Sequence, residues 1–282
     1  MIGPFTSYRS ALGCFPRLVY KFIYFGKGKA GMMTTIEPTA CVLIIGNEIL
    51  SGRTKDVNLN FIAGRLTELG IRLSEARVIP DVVDVIVDTV NHCRANYDYV
   101  FTTGGIGPTH DDITAECIAR AFGVELVQHP EARRLIAELC ERNGVELNHA
   151  RLRMANVPEG AILVDNAVSG APGFKMGNVF VLAGVPRIMK DMFKGCEPHL
   201  MGGPIVKSIT IVAYLAEGVI AEPLRERQSR YADVEMGSYP FYTGGKFGTN
   251  LVLRSQNEGS LSRAKSEIME LVQSLGVEPK IE

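Results

Sequence analysis

The chain has 282 residues, 46% of them hydrophobic and 22% charged, with a formal net charge of -1. That composition excludes a disordered tail or a fibre, suits one large domain plus a small one, and leaves no long-range field to draw in nucleic acid or an anionic membrane. No apolar run approaches the roughly 18 residues a bilayer span needs, so a soluble, cytoplasmic protein without a nucleic-acid or membrane partner is expected, and any phosphate affinity must be local.

Residues 1–31 carry no acidic residue, five basic ones (Arg9, Arg17, Lys21, Lys27 and Lys29) and frequent aromatics. A transit peptide, a secretory signal broken by Lys21 and translation from a start chosen too early compete here; Met32 and Met33 favour the last. Residues 1–36 are expected to form a poorly ordered extension. Strand-like and helix-like segments then alternate: a buried strand from Cys41 to Ile45, a helix from Asn58 to Leu69, a strand from Leu73 to Val78, a helix from Asp84 to Arg94, a strand from Tyr97 to Thr103 and a helix from Thr114 to Phe122. A helix from Glu131 to Asn143 and a basic stretch from Asn148 to Met154 follow. Ala161 to Val164 and Val179 to Leu182 read as paired strands around a Gly170 to Gly173 turn, before a helix from Arg187 to Phe193.

This order predicts an α/β domain over 37–200 with a three-layer, mostly parallel sheet and ligands at the carboxyl ends of its strands. Residues 200–204 read as a hinge. A strand from Ile205 to Tyr214, a helix from Glu217 to Tyr231, a hairpin of Val234 to Tyr239 with Thr249 to Arg254, and a helix from Ser260 to Leu275 make a small βαββα, α+β domain over 205–282. Its Gly245-Lys246-Phe247-Gly248 step invites comparison with the Gly-x-x-Gly loop of RNA-binding KH domains. That loop joins helices and this step joins strands, so a dimerisation or orienting role is the better reading.

The run from Thr102 to Thr114 carries most of the chemistry. A strand, a glycine turn (Gly104, Gly105, Gly107) and a helix start at Thr114 make an anion site, because glycine backbone approaches a ligand closely and free N–H groups favour phosphate. Asp111 and Asp112 beside such a cradle repel phosphate unless a divalent cation lies between, or unless they accept hydrogen bonds from a neutral part of the ligand. One of the pair is expected to cap the helix while the other faces the ligand. No P-loop lysine follows Gly107, and His110 stands where a dinucleotide fingerprint needs a small residue. Six cysteines are scattered without a Cys-x-x-Cys pair, which argues against a zinc site or a disulfide framework and for a reducing compartment.

The Gly104 to Thr114 segment, with Gly46-Asn47-Glu48-Ile49-Leu50-Ser51-Gly52 and Ala171-Pro172-Gly173-Phe174, resembles the molybdopterin-binding (MogA-like) domain of molybdenum-cofactor biosynthesis proteins. More closely it resembles the CinA-like (competence/damage-inducible protein A) group, over residues 40–200 and on through Gly237-Ser238-Tyr239-Pro240 and Gly248-Thr249-Asn250-Leu251. The resemblance implies two function classes: a metal-dependent ADP-ribose pyrophosphatase using cobalt, nickel or magnesium, or a non-catalytic or biosynthetic molybdopterin-binding protein. It also implies association, so a homodimer is expected. Longer relatives add an amidohydrolase domain for nicotinamide mononucleotide, and others are fused to FAD synthases; neither deamidation nor flavin synthesis is expected of these residues.

For the enzyme, Asp111 and Asp112 would carry metal and water, with His110 as an added metal ligand and Glu48 as a further catalytic carboxylate at the same sheet edge. Thr103, Gly104, Gly105, Gly107, Pro108, Thr109 and Thr114 form the expected phosphate cradle. Asn47, which replaces an aspartate of many relatives, suits a pterin or adenine edge, with Ser51 and Asn58 on the following loop and helix start. The resemblance places two further turns, Ser169, Gly170, Ala171, Pro172 and Gly173, then Gly184 and Pro186, around the same pocket. Arg151 and Arg153 read as a solvated basic turn.

Overall fold

The computed structural model describes residues 18–25 and 29–282. Readings that fall on residues 1–17 and 26–28, among them the order of that part of the extension and the state of Cys14, lie outside the described residues. Strands β1 (Leu18–Phe25) and β2 (Lys29–Ile36) pair antiparallel. Two compact units divide between Gly203 and Pro204.

The first unit continues with β3 (Thr39–Ile45), α1 (Asn47–Leu50), α2 (Asn58–Glu68), β4 (Arg72–Ile79), α3 (Val83–Asn96), β5 (Tyr99–Thr103) and α4 (Thr114–Phe122). Then come β6 (Leu126–Gln128), α5 (Pro130–Arg142), α6 (His149–Arg153), β7 (Asn156–Pro158), β8 (Ile162–Val164), β9 (Gly173–Met176), β10 (Val179–Leu182) and α7 (Pro186–Cys196). The main sheet has the order β4-β3-β5-β10-β9-β8. Its first four strands run parallel, and β9 alone runs against them, pairing antiparallel with β10 on one side and β8 on the other. A small β6-β7 ribbon stands apart.

β3 is buried at all seven positions, as a strand covered on both faces must be. Ala40, Val42 and Ile44 pack with Phe101, Phe180 and Phe193 on the face covered by α2 and α7. Cys41, Leu43 and Ile45 pack with Val90, Cys93 and Ile118 on the face covered by α3 and α4. This two-faced core makes the three layers.

The expected pairing of the strands at Ala161 to Val164 and Val179 to Leu182 is corrected, because β9 lies between them and pairs with both. Gly173 opens that strand instead of closing a turn. A Cβ there would lie 2.6 Å from the Val181 carbonyl oxygen, so this glycine permits two strands to approach.

The second unit contains β11 (Lys207–Ala213), α8 (Glu217–Gln228), β12 (Glu235–Thr243), β13 (Lys246–Ser255), α9 (Glu258–Ser274) and β14 (Lys280–Ile281). All pairings in its sheet, β12-β13-β11-β14, are antiparallel. Ile211, Leu251 and Leu253 of the sheet pack on Ile220 and Leu224 of α8 and on Ala264 and Ile268 of α9. The hairpin is longer than expected. Lys246 and Phe247 belong to β13, and the turn is only Gly244-Gly245, both at positive φ as a two-residue turn of this kind requires. Among the described residues no helix is long and apolar enough to cross a membrane.

Candidate functional site

Three strand ends meet at Gly104. This residue follows β5 with φ +101°, and any side chain on it would collide with the Ile45 carbonyl oxygen at the end of β3. Its N–H donates to the Leu182 carbonyl at the end of β10, 3.1 Å away. Gly184, just past β10, comes so near that a Cβ on it would stand 3.4 Å from the Gly104 Cα. Two glycine turns thus bring backbone to the carboxyl edge of the sheet, where the order of the strands leaves a crevice.

A cleft of about 70 Å³ opens there, and its walls include Glu48, Asn58, Thr103, Gly104, Gly184 and Pro186, six of the residues singled out from the sequence. Thr54, Lys55 and Asp56 line it too and escaped notice. Asn58, the first residue of α2, is 4% exposed. Its amide nitrogen donates to the Gly184 carbonyl at 2.7 Å, while its carbonyl oxygen, Oδ1, is buried without a partner. Asn58 was equally readable as a helix cap. The cap position is Val57, without a side-chain cap, and Asp56 Oδ1, one residue earlier, accepts the Leu59 N–H at 3.0 Å, so the Asn58 amide is left to serve the cleft. The missed signal was Asp56, two residues ahead of the helical period.

Around α1 the expected residues separate. The Glu48 carboxylate folds back over Gly46, where a Cβ would lie 2.5 Å from its Oε1. The Asn47 N–H donates to Asp81 Oδ2 at 2.8 Å, and the Ser51 hydroxyl donates to the Glu48 carbonyl at 3.3 Å. Both residues are exposed and neither lines the cleft.

Thr114 closes the glycine loop from within. Its hydroxyl donates to the Gly104 carbonyl at 3.0 Å and its N–H to the Gly105 carbonyl at 2.9 Å. Thr114 therefore braces the loop, and its N–H is not free for a phosphate. The expected capping of α4 by Asp111 or Asp112 is corrected: Ile113 is the cap position, with no side-chain cap. Asp112 instead turns toward Thr109, accepting its N–H at 2.8 Å and its hydroxyl. Pro108 is exposed on the same loop, as are Asp111 and His110, the latter with a 96% exposed side chain 4.0 Å from the Asp111 carboxylate. His110, Asp111 and Asp112 do not gather around one cation position; among the described residues the group that does is Cys41, Glu75 and Cys93.

A second cleft, about 50 Å³, lies beside α4 and is lined by Gly105, Gly107, Asp112 and Pro172 with Arg153 and Asn156. Arg153, read as solvated, thus faces a cavity. Ser169, Gly170 and Ala171 belong to neither cleft. The Asn166 carboxamide holds them, with its oxygen accepting the Val168 and Ser169 N–H groups and its nitrogen donating to the Ala171 carbonyl at 2.9 Å. That turn packs beside Arg142.

Residues 41–201 match the family described as "Probable molybdopterin binding domain", and residues 206–280 match "FAD synthase, middle domain". A protein of Archaeoglobus fulgidus is 36% identical over 71% of this chain and 84% of its own length. The "Probable FAD synthase" of Caenorhabditis briggsae is 30% identical over 83% of this chain, which spans 49% of that protein. Among solved structures, the protein CinA of Thermoplasma acidophilum superposes with a TM-score of 0.53 at 34% identity, covering 57% of this chain and 97% of that one. This chain belongs to the molybdopterin-binding domain family and, within it, is CinA-like.

Proposed function

We propose that this chain binds a phosphorylated heterocycle in the cleft at the ends of β3, β5 and β10 and hydrolyses its pyrophosphate link, with ADP-ribose as the substrate class. The observation that carries this reading is the buried, partnerless Asn58 oxygen in the wall of that cleft. An unpaired buried acceptor costs about 1–3 kcal/mol, a cost a heterocycle N–H or a ribose hydroxyl would remove. Lys55 adds a cation for phosphate at the same opening.

In the hydrolysis a water oxygen forms the new P–O bond, its proton passes to the Glu48 carboxylate, and the bridging oxygen leaves with the other phosphate, giving AMP and ribose 5-phosphate. The dispersed His110, Asp111 and Asp112 receive no step as ligands. Asp56, which lines the cleft with hard oxygen donors, would hold a divalent ion there, leaving Glu48 as the base; such an ion supplies charge neutralisation. Free thiols at all five described cysteines suit a reducing cytoplasm, where we place the protein as a homodimer.

Release of AMP from ADP-ribose with magnesium, cobalt or nickel tests the reading, and Lys55→Ala and Asn58→Ala must both weaken it. The match to an FAD synthase middle domain makes FAD the second substrate to try. The match over residues 41–201 favours one other reading, molybdopterin binding without turnover. Tight pterin binding with no AMP release from any substrate or metal would establish that alternative.

A further inference from the structure

On the face opposite α2, two thiols meet. Cys41 of β3 and Cys93 of α3, both fully buried, stand with their sulfurs 3.5 Å apart although 52 residues separate them in the chain. The neighbouring strand supplies a carboxylate. A β-bulge between Ala40 and Cys41 shifts the register, so that Leu73 pairs with Ala40 but Glu75 pairs with Cys41. Without that bulge Leu73 and Glu75 would share a face; with it, Leu73 packs on the α2 side and Glu75 turns to the thiols. Ligand atoms of Cys41, Glu75 and Cys93 all lie within 4.8 Å of one another.

We infer that Cys41, Cys93 and Glu75 form a binding site for a thiophilic divalent ion such as zinc, separate from the cleft at the strand ends. Tetrahedral zinc with Zn–S bonds of about 2.3 Å sets its two sulfurs about 3.8 Å apart, so the pair needs to move only slightly. A surrounding layer is already in place. The Arg77 Nε donates to Glu75 Oε1 at 2.6 Å and the Tyr97 hydroxyl donates to Glu75 Oε2 at 2.6 Å, fixing the carboxylate as partners of metal ligands do. The charges close as well: a divalent ion with two thiolates and one carboxylate carries one net negative charge, and the Arg77 guanidinium cancels it. Binding releases the two thiol protons to solvent and breaks no covalent bond beyond S–H. Glu75 is half-buried, and a water would complete the tetrahedron. The ion would tie β3, β4 and α3 together.

The test uses the full chain, reduced and metal-free, titrated with cobalt(II) as a coloured substitute for zinc. The site predicts a thiolate-to-cobalt charge-transfer band that saturates at one equivalent and is erased by zinc. Cys41→Ser and Cys93→Ser must abolish the band, while Cys140→Ser and Asp111→Asn keep it. Tyr97→Phe, which leaves every ligand in place, should keep the band and weaken binding by about 10-fold or more. Absence of a band in the wild type, its persistence in Cys93→Ser, or cobalt affinity unchanged in Tyr97→Phe would overturn the assignment.

Discussion

Thr114 and Gly104, ten residues apart, are joined by a buried hydrogen bond of 3.0 Å from the threonine hydroxyl to the glycine carbonyl, and that bond closes the loop on which the functional reading began. Thr114→Val keeps the side-chain shape and leaves the carbonyl unpaired, so a loss of about 1–3 kcal/mol is expected. At about 2–4 °C per kcal/mol for a domain of this size, calorimetry will resolve it. Thr114→Ser, which retains the hydroxyl, should recover most of the loss.

Asn58 joins α2 to the Gly184 turn through its amide nitrogen. Asn58→Asp sets a carboxylate against the Gly184 carbonyl and should lower the melting temperature as well as affinity. Asn58→Ala removes both the tie and the acceptor offered to a ligand. About tenfold weaker binding of ADP-ribose is expected from the lost hydrogen bond, measurable by titration calorimetry.

Asp112 acts on the Thr109 turn. Asp112→Asn still presents an oxygen to the Thr109 N–H and should melt with the wild type, whereas Asp112→Ala should cost about 1 kcal/mol. Turnover in both variants should stay within about tenfold of the wild type, a limit equal to 1.4 kcal/mol of transition-state stabilisation. A steady-state assay that shows complete loss in Asp112→Asn would restore this carboxylate to the chemistry.

In the second unit the Tyr231 hydroxyl donates to Glu267 Oε1 at 2.7 Å, joining the chain just after α8 to α9. That hydrogen bond, with burial and the carboxylate charge adding to it, raises the phenol above its ordinary value of 10. The folded state therefore prefers the protonated phenol. The resulting stability is fully present below pH 10 and is lost as pH rises through the raised value. Denaturant unfolding between pH 8 and pH 12 should show this decline in the wild type and a flatter curve in Tyr231→Phe.

The alternating order of the large unit was legible because β3 and β5 are unbroken buried runs and α2 shows helical spacing. β9 was hidden because its first residue is a glycine, which reads as a turn unless the Val181 carbonyl pressing on it is seen. The strand-end cleft was partly legible: Glu48, Asn58, Thr103, Gly104, Gly184 and Pro186 do converge, whereas Ser169 and Gly170 belong to a turn organised by Asn166. Adjacent aspartates at a helix start look like a cap plus a ligand, and only coordinates reveal that Thr109 takes one of them. Cys41 and Cys93 have no motif spacing, since the strand and the helix that bear them meet only in the folded chain.

The central claim is that ligand enters the strand-end cleft and not the one beside α4. Dissociation constants for ADP-ribose measured on the wild type, Lys55→Ala and Arg153→Ala test it most directly, because these cations line different clefts. Lys55→Ala should weaken binding by about 10-fold or more, as loss of a charged hydrogen bond does, with Arg153→Ala unchanged. Weakening confined to Arg153→Ala would contradict the account.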